Sequence, residues 1–366
     1  MVCCKRHTNF YFGHKLQTTL KLCKYYYTIC TRDKTNRKLT EKESFMKYYI
    51  GVDGGSTKTI FAVSDEKGKL YREVTRTGCS YQSIGVDSSV RFLNKEIREL
   101  LSSLEIDIEE CAACCIGMPC FGENEGMDQV ITDTLKRLLA PIPVYLVNDV
   151  EVGWAGAQEC REGIHVAAGT GSIAFGKGKE EKAARCGGWN EFYGDEGSCY
   201  WIGRKAMGLF SKEADGRLPK GALYRIVKKE LGLINDFYFT DVIRESWMPY
   251  RWKVAAFQMY AFRAVQEGDE AVGRLYREAA AELGLMVKTI KESLTFSSDK
   301  ICVTYSGGLF QVGDLILQPF REEIERLGCV LAEPVGSAAE GALLLAKKYS
   351  ESMPVAYADK GGVRNL

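Results

Sequence analysis

Residues 48–63 read YYIGVDGGSTKTIFAV, with apolar runs on both sides of the polar segment Gly54-Gly55-Ser56-Thr57. Apolar runs of this length separated by a short glycine turn predict two strands joined as a hairpin. Glycines leave the backbone N–H groups of such a turn uncovered by side chains, so that they can converge on an anion. The acid before the turn, Asp53, could hold a Mg²⁺ ion through water.

The same arrangement returns about 115 residues later, where Gly169-Thr170-Gly171 separates the predicted strands 164–168 and 172–177. A strand–glycine turn–strand unit that occurs twice predicts two related α/β domains that face each other. Either turn alone would be an ordinary tight hairpin. Together, with an acid beside only the first, they predict a clamp for the phosphates of a nucleotide.

Strands and helices alternate through the rest of the chain. One helix is predicted by the apolar stripe Val90, Leu93, Ile97, Leu100 and Leu104, which has the spacing of a single helix face. Further strands are predicted at 70–75, 111–116, 144–147 and 301–305, and further helices at 128–139, 200–210, 253–265, 270–294, 314–327 and 337–346. This alternation predicts mixed sheets with helical crossovers.

The predicted domains are residues 46–160 and 161–335, with a helix at 336–348 packing back on the first domain. Residues 1–45 carry a net charge of +7 and show no apolar periodicity. This favours an extension without regular structure, or a start codon assigned too early. A transit peptide is the alternative.

Composition excludes several classes of protein. The 366 residues carry a net charge of +1, 46% are hydrophobic and 27% are charged, and no apolar run reaches the length of a membrane helix. We therefore expect a soluble protein that binds neither nucleic acid nor membrane. Without a credible signal peptide, the 14 cysteines predict reduced thiols and a cytoplasmic location.

Four cysteines lie close together in the sequence: Cys111, Cys114, Cys115 and Cys120. They could serve a metal or iron–sulfur centre, but no CxxC pair or nearby His completes such a site. The alternative is a buried strand in which small side chains pack closely.

Two further segments carry polar groups beside glycines or strand ends. Asn148-Asp149 ends the apolar run 144–147, and a carboxylate there commonly faces a ligand cleft, although Asp149 could also cap the following helix. Gly188-Trp189 and Asp195 precede another predicted helix. An aromatic and a carboxylate so near glycines could contact a sugar, or again cap a helix.

In order along the chain, these segments resemble the N-acetylglucosamine kinase group of the BadF/BadG/BcrA/BcrD ATPase family. The residues that carry the resemblance are Asp53–Thr57, Asn148-Asp149, Ala168–Ser172, Gly187–Trp189, Gly194–Ser198 with Tyr200-Trp201-Ile202, and Ser306–Gly308. The resemblance spans about residues 46–348. It implies two ribonuclease-H-like domains of the actin, Hsp70 and sugar kinase type, with ATP and Mg²⁺ in the cleft between them.

The resemblance also implies the activity, phosphoryl transfer from ATP to the primary hydroxyl of an amino sugar such as N-acetylglucosamine. Asp149 matches the acid that takes the hydroxyl proton, and Asp53 the residue near the metal. The nucleotide residues implied are Gly54, Gly55, Ser56, Thr57, Gly169, Thr170, Gly171, Ser306, Gly307 and Gly308; the sugar residues are Ser80, Asn148, Gly188, Trp189 and Asp195. Ser80 stands where the group usually has Asn, so the sugar is left open. A homodimer is a further expectation.

Two other functions remain open at this point. The first is an ATPase that activates a dehydratase or reductase through an iron–sulfur cluster. Such activators carry a cysteine just before the second turn, where this chain has His165-Val166-Ala167-Ala168. The second is a sugar-binding regulatory protein without catalysis, against which Asp149 and the lack of a DNA-binding motif in the body of the chain both count.

Overall fold

The computed structural model describes residues 46–352 and the backbone of residues 364–365. The expectations for residues 1–45 lie outside the described residues. Within residues 46–352, no helix is both long enough and apolar enough to cross a membrane.

The first sheet has five strands in the order β3-β2-β1-β4-β5. Strand β1 pairs antiparallel with β2 and parallel with β4, which in turn pairs parallel with β5. The central strand is buried on both faces, as its continuous apolar run predicts. The strands are β1 Tyr48–Gly54, β2 Lys58–Asp65, β3 Leu70–Thr77, β4 Cys111–Met118 and β5 Val144–Asn148.

The second sheet repeats this plan, with the order β10-β9-β6-β7-β8-β11. Strand β6 pairs antiparallel with β7 and parallel with β9, as β1 does with β2 and β4. The strands are β6 Gly163–Ala168, β7 Ser172–Lys177, β8 Ala183–Gly187, β9 Cys302–Ser306, β10 Val330–Leu331 and β11 Arg364–Asn365. The predicted fold class is confirmed, because the two sheets share one topology around equivalent glycine turns.

Helices pack on one face of the first sheet, and one of them makes this contact through the predicted apolar stripe. Val90, Leu93, Ile97 and Leu100 pack in one cluster with Ile50 of β1. The helices before β5 are α1 Tyr81–Ile84, α2 Val86–Ser103 and α3 Glu125–Leu138, with a 3₁₀ turn at Ile108–Glu110. The stripe residue Leu104 follows α2 directly, as the residue that ends the helix.

Two crossing helices lie between the sheets, α4 Asp149–Gln158 and α12 Ala338–Ser352. They approach closely because Gly156 and Gly341 lie at the crossing, where a Cβ on either would overlap the backbone of the other helix. Their apolar cluster contains Ala113 of the first sheet and Phe175 of the second. In addition, Nζ of the buried Lys177 of β7 lies 2.8 Å from the carboxylate of Glu151 in α4. The sheets are therefore joined through this helix pair.

The remaining helices surround the second sheet. They are α5 Cys199–Ala214, α6 Ala222–Glu230, α7 Tyr238–Ser246, α8 Arg251–Ala256, α9 Gln258–Gln266, α10 Glu270–Ser293 and α11 Asp314–Arg326, with 3₁₀ turns at Lys179–Glu181 and Gly308–Val312. The single helix predicted at 253–265 is divided at the buried Phe257. The domain boundaries given above stay a prediction.

Candidate active site

The first glycine turn is built so closely that glycine is required within it. A Cβ on Gly54 would lie 2.5 Å from the carbonyl oxygen of Gly117 and 2.7 Å from Sγ of Cys79, and one on Gly55 would lie 2.7 Å from the carbonyl oxygen of Lys58. The N–H of Cys79 donates to the carbonyl of Gly55 at 3.0 Å and braces the turn. Ser56 and Thr57 at its tip are exposed. The turn is a rigid support with exposed hydroxyl donors.

The second glycine turn, Gly169–Gly171, is closed by its own backbone and fixed to a helix. The N–H of Gly169 donates to the carbonyl of Gly171 at 2.8 Å, and the N–H of Cys199 donates to the carbonyl of Gly169 at 2.9 Å. The second bond places the beginning of α5 against the turn. Because the N-terminus of a helix carries partial positive charge, this arrangement favours an anion nearby.

Ser306-Gly307-Gly308 lies beside the second turn. Gly307 has a φ of +106°, and a Cβ there would overlap the backbone of Ala168. The buried His165 accepts or donates a hydrogen bond at both nitrogens, 2.9 Å from Oγ of Ser306 and 3.0 Å from Oγ1 of Thr304. Burial lowers the pKa of His165 to about 4, so the ring is neutral at physiological pH. His165 thus orients a segment that the resemblance places by the nucleoside.

Asp53 and Asp149 lie at the same edge of the first sheet. Asp53 is opposite Gly117 across the β1–β4 pair, and Asn148 is opposite Met118 across the β4–β5 pair. Asp149 follows Asn148 as the first residue of α4. The carboxyl ends of neighbouring parallel strands meet there, which is the usual position of a ligand cleft in α/β sheets.

Asn148, and not Asp149, caps the following helix. Its Oδ1 accepts from the N–H of Val150 at 3.1 Å, and its Nδ2 donates to the carbonyl of Phe121 at 2.8 Å. The helix-cap interpretation of Asp149 is therefore wrong. Asn148, which the resemblance assigns to the sugar, has both ends of its amide engaged by the protein.

Burial and mutual repulsion make both acids weaker than usual. Burial raises the pKa of Asp53 to about 6, against the opposing effect of Lys58. Burial, and then the negative charge of Asp53, raise the pKa of Asp149 to about 7, while Arg185 lowers it in part. A carboxylate with a pKa near 7 is a suitable general base at neutral pH.

The sugar residues implied by the resemblance lie around these groups. Ser80 is buried and directly precedes α1. Burial raises the pKa of the neighbouring Cys79 to about 11, and the negative charges of Asp149 and Asp53 add to this. Gly188 donates its N–H to the carbonyl of Ser172 at 2.9 Å, which attaches this segment to the beginning of β7. Trp189 follows and is 69% exposed, so its ring is available for a ligand.

Asp195 is engaged on both carboxylate oxygens. It is 2% exposed, its Oδ1 accepts from the N–H of Ser172 at 3.2 Å, and its Oδ2 pairs with Arg251. A Cβ on Gly171 would lie 2.7 Å from the same Oδ1. The structure therefore places Asp195 against the second turn as a brace. Arg251, from the start of α8, is a residue that the sequence did not reveal.

One ion pair connects the two sheets at this edge. Nη2 of Arg185, in β8, lies 2.9 Å from Oε1 of Glu123, in the loop between β4 and α3. The same nitrogen donates to the carbonyl of Gly188 at 3.3 Å. No local sequence pattern indicates this pair, because the two residues are 62 positions apart and neither belongs to a motif.

The cysteine cluster is a packing feature. Cys114 and Cys115 are fully buried in clusters on opposite faces of the first sheet. Within residues 46–352, no three His, Cys, Asp or Glu side chains lie together as a metal site would require. The metal interpretation of these four cysteines is therefore wrong.

An open pocket of about 680 Å³ lies elsewhere, lined among others by Tyr49, Glu110 and Lys347. Tyr49 lies near the start of β1 and Asp53 near its end, so this pocket is at the opposite edge of the sheet. It contains none of the predicted site residues. The converging glycine turns and acids make the carboxyl edge the better candidate.

Two curated amino sugar kinases are similar in sequence to this chain. A curated N-acetylmuramic acid/N-acetylglucosamine kinase from Clostridium acetobutylicum is 35% identical over 283 residues, which cover 76% of this chain and 90% of that protein. An N-acetyl-D-glucosamine kinase from Dictyostelium discoideum is 27% identical over 275 residues, 71% of this chain and 84% of its own.

A solved structure has the same fold at lower identity. It is assigned as an N-acetylglucosamine kinase from Chromobacterium violaceum, has a TM-score of 0.66 and 23% identity, and the match covers 82% of this chain and 99% of that one. Residues 50–346 match the family described as the BadF/BadG/BcrA/BcrD ATPase family. With most of its length in that match, this chain belongs to the BadF/BadG/BcrA/BcrD ATPase family.

Proposed function

We propose that this chain is an ATP-dependent kinase that transfers the γ-phosphoryl group to the primary hydroxyl of an amino sugar such as N-acetylglucosamine. The observation that carries the proposal is the position of Asp149 at the edge of the first sheet where Asp53 leads into the first glycine turn; burial raises the pKa of Asp149 to about 7. The kinase names of the Clostridium and Dictyostelium relatives support the reaction class.

ATP is held, in this proposal, by the two glycine turns. Gly54–Thr57 and Gly169–Gly171 would bind the phosphates through backbone N–H groups and hydroxyls, and Ser306–Gly308 would lie by the nucleoside. Phosphoryl transfer depends mainly on positioning and on stabilisation of charge, which such donors supply without rearranging. The bracing of both turns by Cys79 and Asp195 serves this purpose.

Asp53 is the residue that would hold Mg²⁺. Its pKa is raised to about 6 because Lys58 does not compensate for its burial, and a bound dication would supply the missing positive charge. Mg²⁺ would bind through water, since it dehydrates reluctantly. When bound, it neutralises charge on the phosphates.

Asp149 orients the sugar hydroxyl and accepts its proton. The hydroxyl oxygen bonds to the γ-phosphorus, the bond between that phosphorus and the β,γ-bridging oxygen breaks, and the proton passes to the carboxylate of Asp149. ADP leaves with the bridging oxygen. Trp189 is exposed and would cover an apolar face of the sugar ring.

The test is ADP formation with N-acetylglucosamine, glucosamine, N-acetylmannosamine, N-acetylmuramic acid and glucose. We expect turnover of at least one amino sugar. Sugar binding without ADP formation would instead support a regulatory protein, and an iron-dependent colour after anaerobic purification would support an activator. The homodimer stays a prediction, to be checked by the mass of the protein in solution.

A further inference from the structure

Arg185 carries a nearly buried positive charge where β8 meets the loop between β4 and α3. Its side chain is 11% exposed, whereas that of its partner Glu123 is 30% exposed. A nearly buried guanidinium requires a counter-charge, because an unpaired buried charge is costly. A partly exposed carboxylate can return to water at much lower cost. Of the two partners, Glu123 is therefore the one that can be exchanged.

The guanidinium of Arg185 uses only some of its N–H groups in hydrogen bonds with the described residues. Within residues 46–352, both of its hydrogen bonds are made by one nitrogen, Nη2, to Glu123 and to the carbonyl of Gly188. Among the described residues, Nε and Nη1 have no hydrogen-bond partner. A guanidinium binds a carboxylate best through two parallel N–H groups, and Glu123 contacts only one. A ligand carboxylate could make the bidentate contact that Glu123 does not.

The charges around Arg185 otherwise exclude an acidic ligand. Asp53 and Glu123 both raise the pKa of Asp149, and Arg185 is the basic group that lowers it. Two acidic groups, Asp53 and Glu123, and one basic group, Arg185, therefore act on the carboxylate of Asp149. A negatively charged sugar could enter this region only by pairing with Arg185, whereas a neutral sugar needs no such partner.

The location fits a sugar substituent. Arg185 lies near the proposed base Asp149 and contacts the carbonyl of Gly188, directly before Trp189. Arg185 therefore contacts the Gly188 side of the proposed sugar site and lies near enough to Asp149 to lower its pKa. The two substrates in the name of the Clostridium relative, N-acetylmuramic acid and N-acetylglucosamine, differ by a lactic acid ether that ends in a carboxylate.

We propose that Arg185 is the specificity-determining residue of the sugar site, and that it binds a carboxylate carried on an arm of the amino sugar in place of Glu123. This rests on the proposed function. The site then accepts two kinds of amino sugar: a neutral one with the Glu123–Arg185 pair closed, and an acidic one with the pair opened.

The test compares kcat and KM for N-acetylglucosamine, N-acetylmuramic acid and the neutral lactyl amide of N-acetylmuramic acid. In the unaltered protein we expect the acid to be preferred over its amide. Arg185→Gln should raise KM for the acid about 10- to 100-fold relative to N-acetylglucosamine, with little change in the kcat ratio, and should abolish the preference over the amide. Arg185→Lys keeps the positive charge but cannot make two parallel N–H contacts, so it should retain only part of the preference for the acid over its amide.

Glu123→Gln is the opposing variant. It removes the competing carboxylate, so the ratio of KM for N-acetylmuramic acid to KM for N-acetylglucosamine should fall. For any variant with weak turnover, calorimetry measures the affinity for N-acetylmuramic acid directly, and this affinity is compared with that of the unaltered protein. Unchanged ratios of acid to amide in Arg185→Gln, or turnover of N-acetylglucosamine alone by the unaltered protein, would overturn the role of Arg185. Absence of ADP formation with every sugar would instead overturn the proposed function.

Discussion

The two glycine turns have the same place in two sheets of the same topology, but their surroundings differ. The first follows Asp53, an acid whose pKa burial raises to about 6. The second follows Ala168 and is braced by Asp195, which is paired with Arg251 and with the N–H of Ser172. Burial raises the pKa of both acids, but Asp195 has a direct cationic partner in Arg251, whereas Asp53 has only the partly opposing charge of Lys58. This difference fits the proposed division of roles, in which the first half would hold the metal and carry the reaction and the second half would position the nucleotide.

Asp149→Asn should produce the largest change in activity. It keeps the size of the side chain but removes the proton acceptor, so kcat should fall about 10²- to 10⁴-fold. ATP binding should be retained, because the two turns are untouched. The measurements are ADP formation under saturating sugar and nucleotide titration by calorimetry. Full turnover by this variant would refute the role of Asp149.

Gly54→Ala and Gly169→Ala test the packing of the two turns as a matched pair. Neither glycine has a positive φ. A Cβ on Gly54 would lie 2.5 Å from a carbonyl oxygen, whereas one on Gly169 meets its nearest neighbour, the nitrogen of Gly308, at 3.7 Å. Gly54→Ala should lower the free energy of unfolding by about 1–3 kcal/mol, and Gly169→Ala should leave it unchanged or slightly raised. Urea denaturation measures the free energy of unfolding of both variants. An equal loss of stability in the two would contradict the predicted difference in packing.

Asp53→Asn and Arg251→Gln should have opposite effects on stability. The folded-state pKa of Asp53 is raised, so its charge opposes folding as pH rises through about 4 to 6, and its removal should stabilise the protein by roughly 1–2 kcal/mol at pH 7.5. Arg251→Gln leaves the buried Asp195 without its cation and should destabilise by about 1–3 kcal/mol. Thermal unfolding at pH 7.5 shows whether each variant is more or less stable than the unaltered protein.

The two variants should also separate in their dependence on Mg²⁺. Asp53→Asn should need a higher Mg²⁺ concentration for half-maximal turnover, whereas Arg251→Gln should not. A destabilised Asp53→Asn protein with normal Mg²⁺ dependence would show that Asp53 is structural.

The smallest expected effect is on the pH profile. Because Asp149 must be ionised to accept a proton, kcat/KM should fall tenfold per unit below about pH 7. Removing the negative charge of Asp53 should move this limb to lower pH, and removing the positive charge of Arg185 should move it higher. Shifts of about one unit or less are expected. A profile that is flat from pH 5.5 to 8 would contradict the assignment of the base.

Much of this fold could be predicted from local signals. The apolar runs and glycines of the β1–β2 and β6–β7 hairpins, and the stripe of α2, each lie within a short stretch of sequence. Elements with weak signals were missed: β8 is short and partly polar, β10 has two residues, and α6 and α7 lie in a region that carried no assignment. The fold class did not depend on them.

The candidate site was only partly predictable, for a physical reason. Glycine turns and acids at strand ends are local, and the sequence shows them directly. The groups that tune them come from distant positions: Arg251 meets Asp195 across 56 residues, and His165 meets Ser306 across 141. Such pairs depend on how the elements pack, which a single sequence does not reveal.

The central claim is that two braced turns hold ATP while Asp149 faces the sugar hydroxyl. A crystal structure with a non-hydrolysable ATP analogue, Mg²⁺ and N-acetylglucosamine tests it most directly. We predict the phosphates against Gly54–Thr57 and Gly169–Gly171, and the primary hydroxyl within hydrogen-bond distance of the carboxylate of Asp149. A nucleotide bound away from both turns, or a sugar without contact to Asp149, would contradict it.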